Sequence, residues 1–112
     1  MYKLVILIAP PLDPDTFQAR WPDFMRLAET LPGLRREASS TVAQFLYGDQ
    51  PFIQVYELFF NTLEAARTAM SSPAGQEAGK LLQSITGGQM VLFFARHRED
   101  NLENIRTQVG GR

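Results

Sequence analysis

Residues 2–9 form an almost unbroken aliphatic run that Pro10-Pro11 stops. Eight residues rich in β-branched side chains suit a strand buried on both faces better than a helix. Beyond it, Asp13 stands in a capping position with Pro14 as first helical residue. Phe17, Trp21, Phe24, Ala28 and Leu31 then recur at helical spacing until Leu31-Pro32-Gly33 ends the pattern. Pro22 falls inside that helix and predicts a kink or break, since proline removes an amide donor and crowds the preceding turn. Residues 34–47 mix Val42, Phe45, Leu46 and Tyr47 with Arg35, Arg36, Glu37 and a serine/threonine run, the pattern of a polar strand at a sheet edge. Gly48-Asp49-Gln50-Pro51 predicts a turn, and residues 52–60 a second apolar strand broken only by Gln54 and Glu57, so the two form a hairpin.

Asn61 with Glu64 three residues on predicts a capped helix with a narrow stripe of Leu63, Ala66 and Met70, stopping near Ser71. Ser72-Pro73 starts a further helical stretch whose Ala74, Ala78, Leu81, Leu82 and Ile85 face inward before Gly87-Gly88 closes it. Residues 90–95 are a fourth, strongly apolar strand. The order β-α-β-β-α-β predicts an α+β fold of ferredoxin-like type, an antiparallel sheet with its helices on one face. Helices on one side leave the other side of the sheet bare. Because strands one, three and four are apolar on both faces, that bare side predicts pairing of two copies into a homodimer. The domain spans residues 1–97. The polar tail 98–112 is either a short docked helix carrying Leu102, Ile105 and Val109 or a frayed end.

The apolar first strand, the helix carrying Trp21 and ending in Leu31-Pro32-Gly33-Leu34-Arg35, and residues 56–65 running into Ser72-Pro73 together resemble the EthD-type branch of the dimeric α/β barrel proteins. The family is named for an accessory protein of ethyl tert-butyl ether degradation, and the likeness covers residues 2–97. It implies two sheets packed into a shared barrel with a small pocket per subunit between sheet and helices. Relatives on this scaffold include cofactor-independent monooxygenases, cyclases, isomerases and haem-degrading enzymes, so the fold leaves the chemistry open. Members often carry a histidine shortly after the tryptophan of the first helix. Here that neighbourhood is Pro22-Asp23-Phe24-Met25, without one.

Eleven basic residues against twelve acidic ones give a formal net charge of -1 with no basic stripe, so nothing recruits nucleic acid or an anionic membrane. There is no cysteine, which removes disulfides and thiolate chemistry and is compatible with a cytoplasmic setting. The apolar start is too short to span a bilayer. No phosphate loop, zinc motif or nucleophile elbow occurs, and a lone His97 cannot build a multi-histidine metal site, so neither metal nor cofactor is expected.

Two residues are candidates for handling protons. Glu57 is a carboxylate among Val55, Leu58, Phe59 and Phe60, and must be ion-paired, neutral or facing a wet cavity. His97 continues the strand face of Val91, Phe93 and Ala95 to the rim, where it is either a general base or a plain sheet-end histidine. Tyr56 points to the face opposite Glu57. With Trp21, Phe24 and Met25 it is the candidate wall for an apolar small molecule; the alternative is that all four are simply core. Two functions remain open: a small cofactor-independent enzyme acting on an apolar, oxygen-bearing molecule through Glu57 or His97, and a binding or accessory protein of the same fold.

Overall fold

A computed structural model describes residues 1–49 and 51–103. Seven elements follow one another: β1 (Tyr2–Ile8), α1 (Pro14–Ala28), β2 (Arg36–Thr41), β3 (Gln54–Phe60), α2 (Leu63–Ser71), α3 (Pro73–Thr86) and β4 (Met90–Arg96). The strands make one antiparallel sheet in the order β2-β3-β1-β4. This is the expected ferredoxin-like α+β topology, with the second crossover split into two helices at Ser72.

Alternation along the strands decides what each face meets. Leu4, Ile6 and Ile8 of β1 and Tyr56, Leu58 and Phe60 of β3 are buried beneath the helices, against Phe17, Phe24, Leu82 and Ile85. Between them stand Lys3, Val5 and Leu7, Val55, Glu57 and Phe59, and Val91, Phe93 and Ala95, paired across the sheet on the face without helices. Ser72 joins α2 to α3: its hydroxyl donates to the Ala69 carbonyl and accepts from the Gly75 amide at 3.1 Å. The two helices meet so closely that a Cβ on Gly75 would lie 2.2 Å from the Ala69 carbonyl oxygen. At the other end of α3, Gly87 closes the helix with φ of 63°.

Four expectations are corrected. The polar strand ends at Thr41 instead of Tyr47 and the next starts at Gln54, so the described residues between Val42 and Ile53 form a loop and not a tight hairpin. Backbone bonds from the Val42 amide to the Ile53 carbonyl (3.0 Å) and from the Ile53 amide to the Ile8 carbonyl (2.7 Å) close the sheet before the aromatic run begins. Helix α1 runs through Pro22 without a break. Pro22 is exposed, so its ring avoids the core, and the only loss is the amide that would bond the Gln18 carbonyl. The helix ends at Ala28, before Leu31. Finally, α2 is capped by Thr62, whose hydroxyl accepts from the Ala65 amide at 3.0 Å, and not by Asn61. Of the tail, Leu102 and Glu103 are helical, while Ile105 and Val109 lie outside the described residues.

Candidate functional site

The start of α1 is fixed by its sequence. The Asp13 carboxylate accepts from the Thr16 hydroxyl (2.7 Å) and the Thr16 amide (3.2 Å), bonds that hold Asp13 below the usual carboxylate range, and Pro14 supplies the first helical residue. Three- and four-residue steps then bring Phe17, Trp21 and Phe24 onto one stripe above Tyr56. Trp21 stands at the middle: its ring centroid lies 5.2 Å from Phe17, 5.1 Å from Phe24 and 5.5 Å from Tyr56, the last edge-on. On the outer side of Trp21 a cleft of about 400 Å³ opens between α1, the 10–12 turn and the ends of β2 and β3. Phe17, Trp21, Pro11 and Ile53 give it apolar walls, and Gln18, Thr41 and Gln54 give it hydrogen-bonding groups. Among the described residues lining it, none ionises.

Behind Trp21, the Tyr56 hydroxyl donates to the Glu37 carboxylate. Burial first, and the Glu37 bond second, push the phenol far above its ordinary range, so it stays a donor throughout the physiological pH range. Glu37 also meets Glu29 at the end of α1; the hydrogen bond between them, reinforced by their like charge, holds the Glu29 carboxyl above the usual range. Phenol and two carboxyls thus form a chain from the buried wall to the surface.

The other predicted residues lie across the sheet. Glu57 is bonded to the Lys3 ammonium, the first of the three arrangements that its apolar neighbours allowed. His97 packs its ring edge-on to Phe59 at 4.8 Å, and the Arg36 guanidinium lies 4.1 Å from the centre of the same phenyl ring. Glu99 ties this group together, 2.8 Å from His97 Nε2 and 2.9 Å from Arg36; these two bonds, that of His97 first, hold its carboxyl below the usual range. The sheet backbone therefore stands between Glu57 and His97 on one side and Trp21, Phe24 and Tyr56 on the other. Of the predicted wall only Trp21 lines the cleft. Phe24 is buried and borders an interior void of about 20 Å³, Tyr56 is fully enclosed, and Met25 packs half-buried on the core.

Sequence reasoning missed Phe17 as cleft wall and Glu37 as the phenol's partner. Phe17 was legible as the residue one turn before Trp21. Glu37 was not, because its meeting with Tyr56 depends on the hairpin register. A second, larger groove between α1 and α3, about 490 Å³, is lined by Arg20, Asp23, Arg26 and Glu77 with Leu27, Thr30 and Leu81, and its Asp23 is held by both Arg20 and Arg26. Among the described residues no group of three or more acidic or histidine side chains is placed to hold a metal ion, and no helix is long and apolar enough to cross a membrane.

The fold defines a class, the ferredoxin-like α+β proteins, and solved structures share it. An ethyl tert-butyl ether D (EthD) family protein from Bacillus halodurans C-125 superimposes with a TM-score of 0.79 at 23% identity, covering 88% of this chain and 99% of that one. A dimeric ferredoxin-like protein of unknown function from Jannaschia sp. CCS1 gives 0.66 at 16% identity over 86% and 98%. SnoaB, a cofactor-independent oxygenase from Streptomyces nogalater, gives 0.67 at 14% identity over 90% and 96%. The EthD-like resemblance of the sequence is thus borne out in the fold. No family model matches the chain, and no curated protein does.

Proposed function

We propose that the chain works as a homodimer in which each subunit binds an apolar, ring-bearing small molecule with hydrogen-bonding oxygens in the cleft beside α1. The observation that carries this reading is the make-up of the cleft: an aromatic wall, three uncharged polar groups, and no ionising group within it. Binding, more than acid–base chemistry, is what such a lining offers. The carboxylate with the most apolar surroundings, Glu57, is neutralised by Lys3 on the far face. Pairing is supported by that far face. There Leu7 and Val55 stay partly exposed and Val91 and Phe93 are 46% and 44% exposed, around the Lys3–Glu57 pair, apolar surface that a second copy would cover. The lack of cysteine fits a cytoplasmic setting.

Native mass spectrometry of freshly purified protein tests this by showing a small molecule retained at one per subunit. Trp21 is the only tryptophan, so the retained compound should shift or quench its emission. A compound proven bound that leaves Trp21 emission unchanged would place the site elsewhere.

A second reading, a small enzyme, is favoured by the chain Tyr56–Glu37–Glu29, which offers a proton path behind the aromatic wall. The fold is shared with a cofactor-independent oxygenase. Turnover of the retained compound that disappears in Glu37→Gln, with binding preserved, would establish this reading; release of the compound unchanged would exclude it.

A further inference from the structure

The exposed large apolar side chains fall mainly into two groups. One is the tip of the 43–52 loop, where Phe45 is 45% exposed, Leu46 93% and Tyr47 98%; the other is β4, where Val91 to Phe94 are all 38–46% exposed. They sit at opposite edges of the sheet, the loop rising from the β2–β3 corner and β4 forming the far edge, with the helix layer over the face between them. A second sheet packed on the bare face covers Val91 and Phe93. It does not reach Leu92 and Phe94, which point to the helix side but lie at an edge the helices leave open.

We infer that the 43–52 loop is an exchanged arm, which in the homodimer packs Phe45, Leu46 and Tyr47 against Leu92 and Phe94 of β4 in a second copy of this chain. This rests on the homodimer proposed above. A two-fold axis along the strands sets each β4 beside the partner's β2 edge and brings the loop ends of both sheets to the same side, next to Leu92. Ten residues folded back on themselves reach roughly 16 Å from Val42 and Ile53, at about 3.3 Å per residue, enough to round one strand edge. With about 150–250 Å² for a fully exposed large side chain, the arm tip exposes roughly 450 Å² and Leu92 with Phe94 roughly 150 Å², so each chain brings about 600 Å² to the two arm contacts, beside what the sheets bury, towards the about 800 Å² that each partner contributes to a standard-sized interface. The arm is rooted at Thr41 and Ile53, which line the subunit's own cleft. The partner's strand therefore steadies the wall of each ligand site.

The absence of native cysteine makes the test clean. Two differently tagged chains, one Leu46→Cys and one Leu92→Cys, are co-expressed and treated with a short bismaleimide. The expected product is a covalent dimer carrying both tags, with none when either variant is treated alone. A dimer by light scattering that yields no mixed product overturns the arm while leaving the homodimer standing; a single-chain mass at micromolar concentration overturns the homodimer itself. Because cross-linking also depends on local geometry, a second variant, Leu46→Asp with Tyr47→Asp, should raise the dimer dissociation constant at least tenfold while circular dichroism is unchanged. If it instead keeps the dimer intact and alters Trp21 emission, the loop is a lid on its own cleft and the exchange is refuted.

Discussion

Replacing Glu57 by glutamine removes one charge from a pair whose members are each only about one-fifth exposed, 19% for Lys3 and 21% for Glu57. The Lys3 ammonium would be left beside the Phe59 ring, 5.5 Å from its centre, with Phe59 and Ala95 as cross-strand neighbours. Exposed pairs are worth about 0–1 kcal/mol, whereas removing one partner of a fully buried pair costs about 3–5 kcal/mol. One-fifth exposure places Glu57→Gln between these limits, at about 2 kcal/mol. In the proposed homodimer, pairing of two sheets over this face would move it towards the upper limit. Replacing both residues by methionine removes the uncompensated charge along with the pair, and should recover most of the loss, because apolar replacements of buried pairs are often neutral or better. Urea unfolding of both variants at one fixed chain concentration measures this, with the midpoint displaced in Glu57→Gln and the slope unchanged. The reasoning fails if Glu57→Gln lies within about 0.5 kcal/mol of the parent, the ordinary range for surface substitutions, or if the double variant is weaker than the single one. Once a retained compound is known, its affinity should be the same in Glu57→Gln, since the sheet separates that carboxylate from the cleft.

Two glycines of α3 should respond to alanine with opposite signs. Gly75→Ala drives a methyl into the Ala69 and Met70 carbonyls, forcing α2 and α3 apart at a net cost of about 2 kcal/mol. Gly79→Ala meets nothing within 4 Å and should stabilise by about 1 kcal/mol through helix propensity; thermal melts that rank the two the other way would refute the helix junction. Tyr56→Phe removes the bond to Glu37 and should cost about 1–2 kcal/mol at neutral pH. The unfolded phenol ionises near pH 10 while the folded one is held far above it, so the hydroxyl's stabilisation is intact below pH 10 and is lost as pH rises beyond it. Parent and Tyr56→Phe stability curves should therefore converge above about pH 10, and curves that stay parallel would show that the phenol is not held by its burial.

Local sequence carried the elements whose limits are set by neighbours in the chain. Asp13 with Pro14, Ser72 with Pro73 and the closing Gly87 mark helix ends through bonds spanning three or four residues, and β1 declares itself by length and apolarity. The period of two along β3 also separates Tyr56 from Glu57 by sequence alone. What stayed hidden depended on partners far along the chain. A turn at residues 48–51 would pair Tyr56 with residue 43, whereas the actual register pairs it with Ser39 and brings Glu37 within reach. That register is closed by the Val42 amide bonding to the Ile53 carbonyl, across a loop whose length no local pattern announces. Phe45-Leu46-Tyr47 has strong strand propensity, yet beyond Val42 no neighbouring strand offers its backbone a ladder, and tertiary context prevails. Pro22 misled for a related reason: its cost depends on whether the ring meets core or solvent, and here it meets solvent. The aromatic half of the site was legible because Trp21 repeats the spacing of its own helix; of the polar half only Gln18 shares that helix, while Thr41 and Gln54 are brought to it by β2 and β3.

Tyr56 and Glu57 are chain neighbours that answer to different selective demands. In the proposed homodimer, substitutions on one side of β3 would change what sits behind the proposed ligand wall, while those on the other would change how two sheets meet. A lineage carrying this fold could then drift towards new ligands without losing assembly, and alter its assembly without losing its ligand. The segment from Val42 to Ile53 is where that independence ends, because its roots border the cleft and its tip is bare apolar surface. Insertions or deletions there would be expected to change ligand range and self-association together, which makes its length the place where diverging copies of such a gene should first part company.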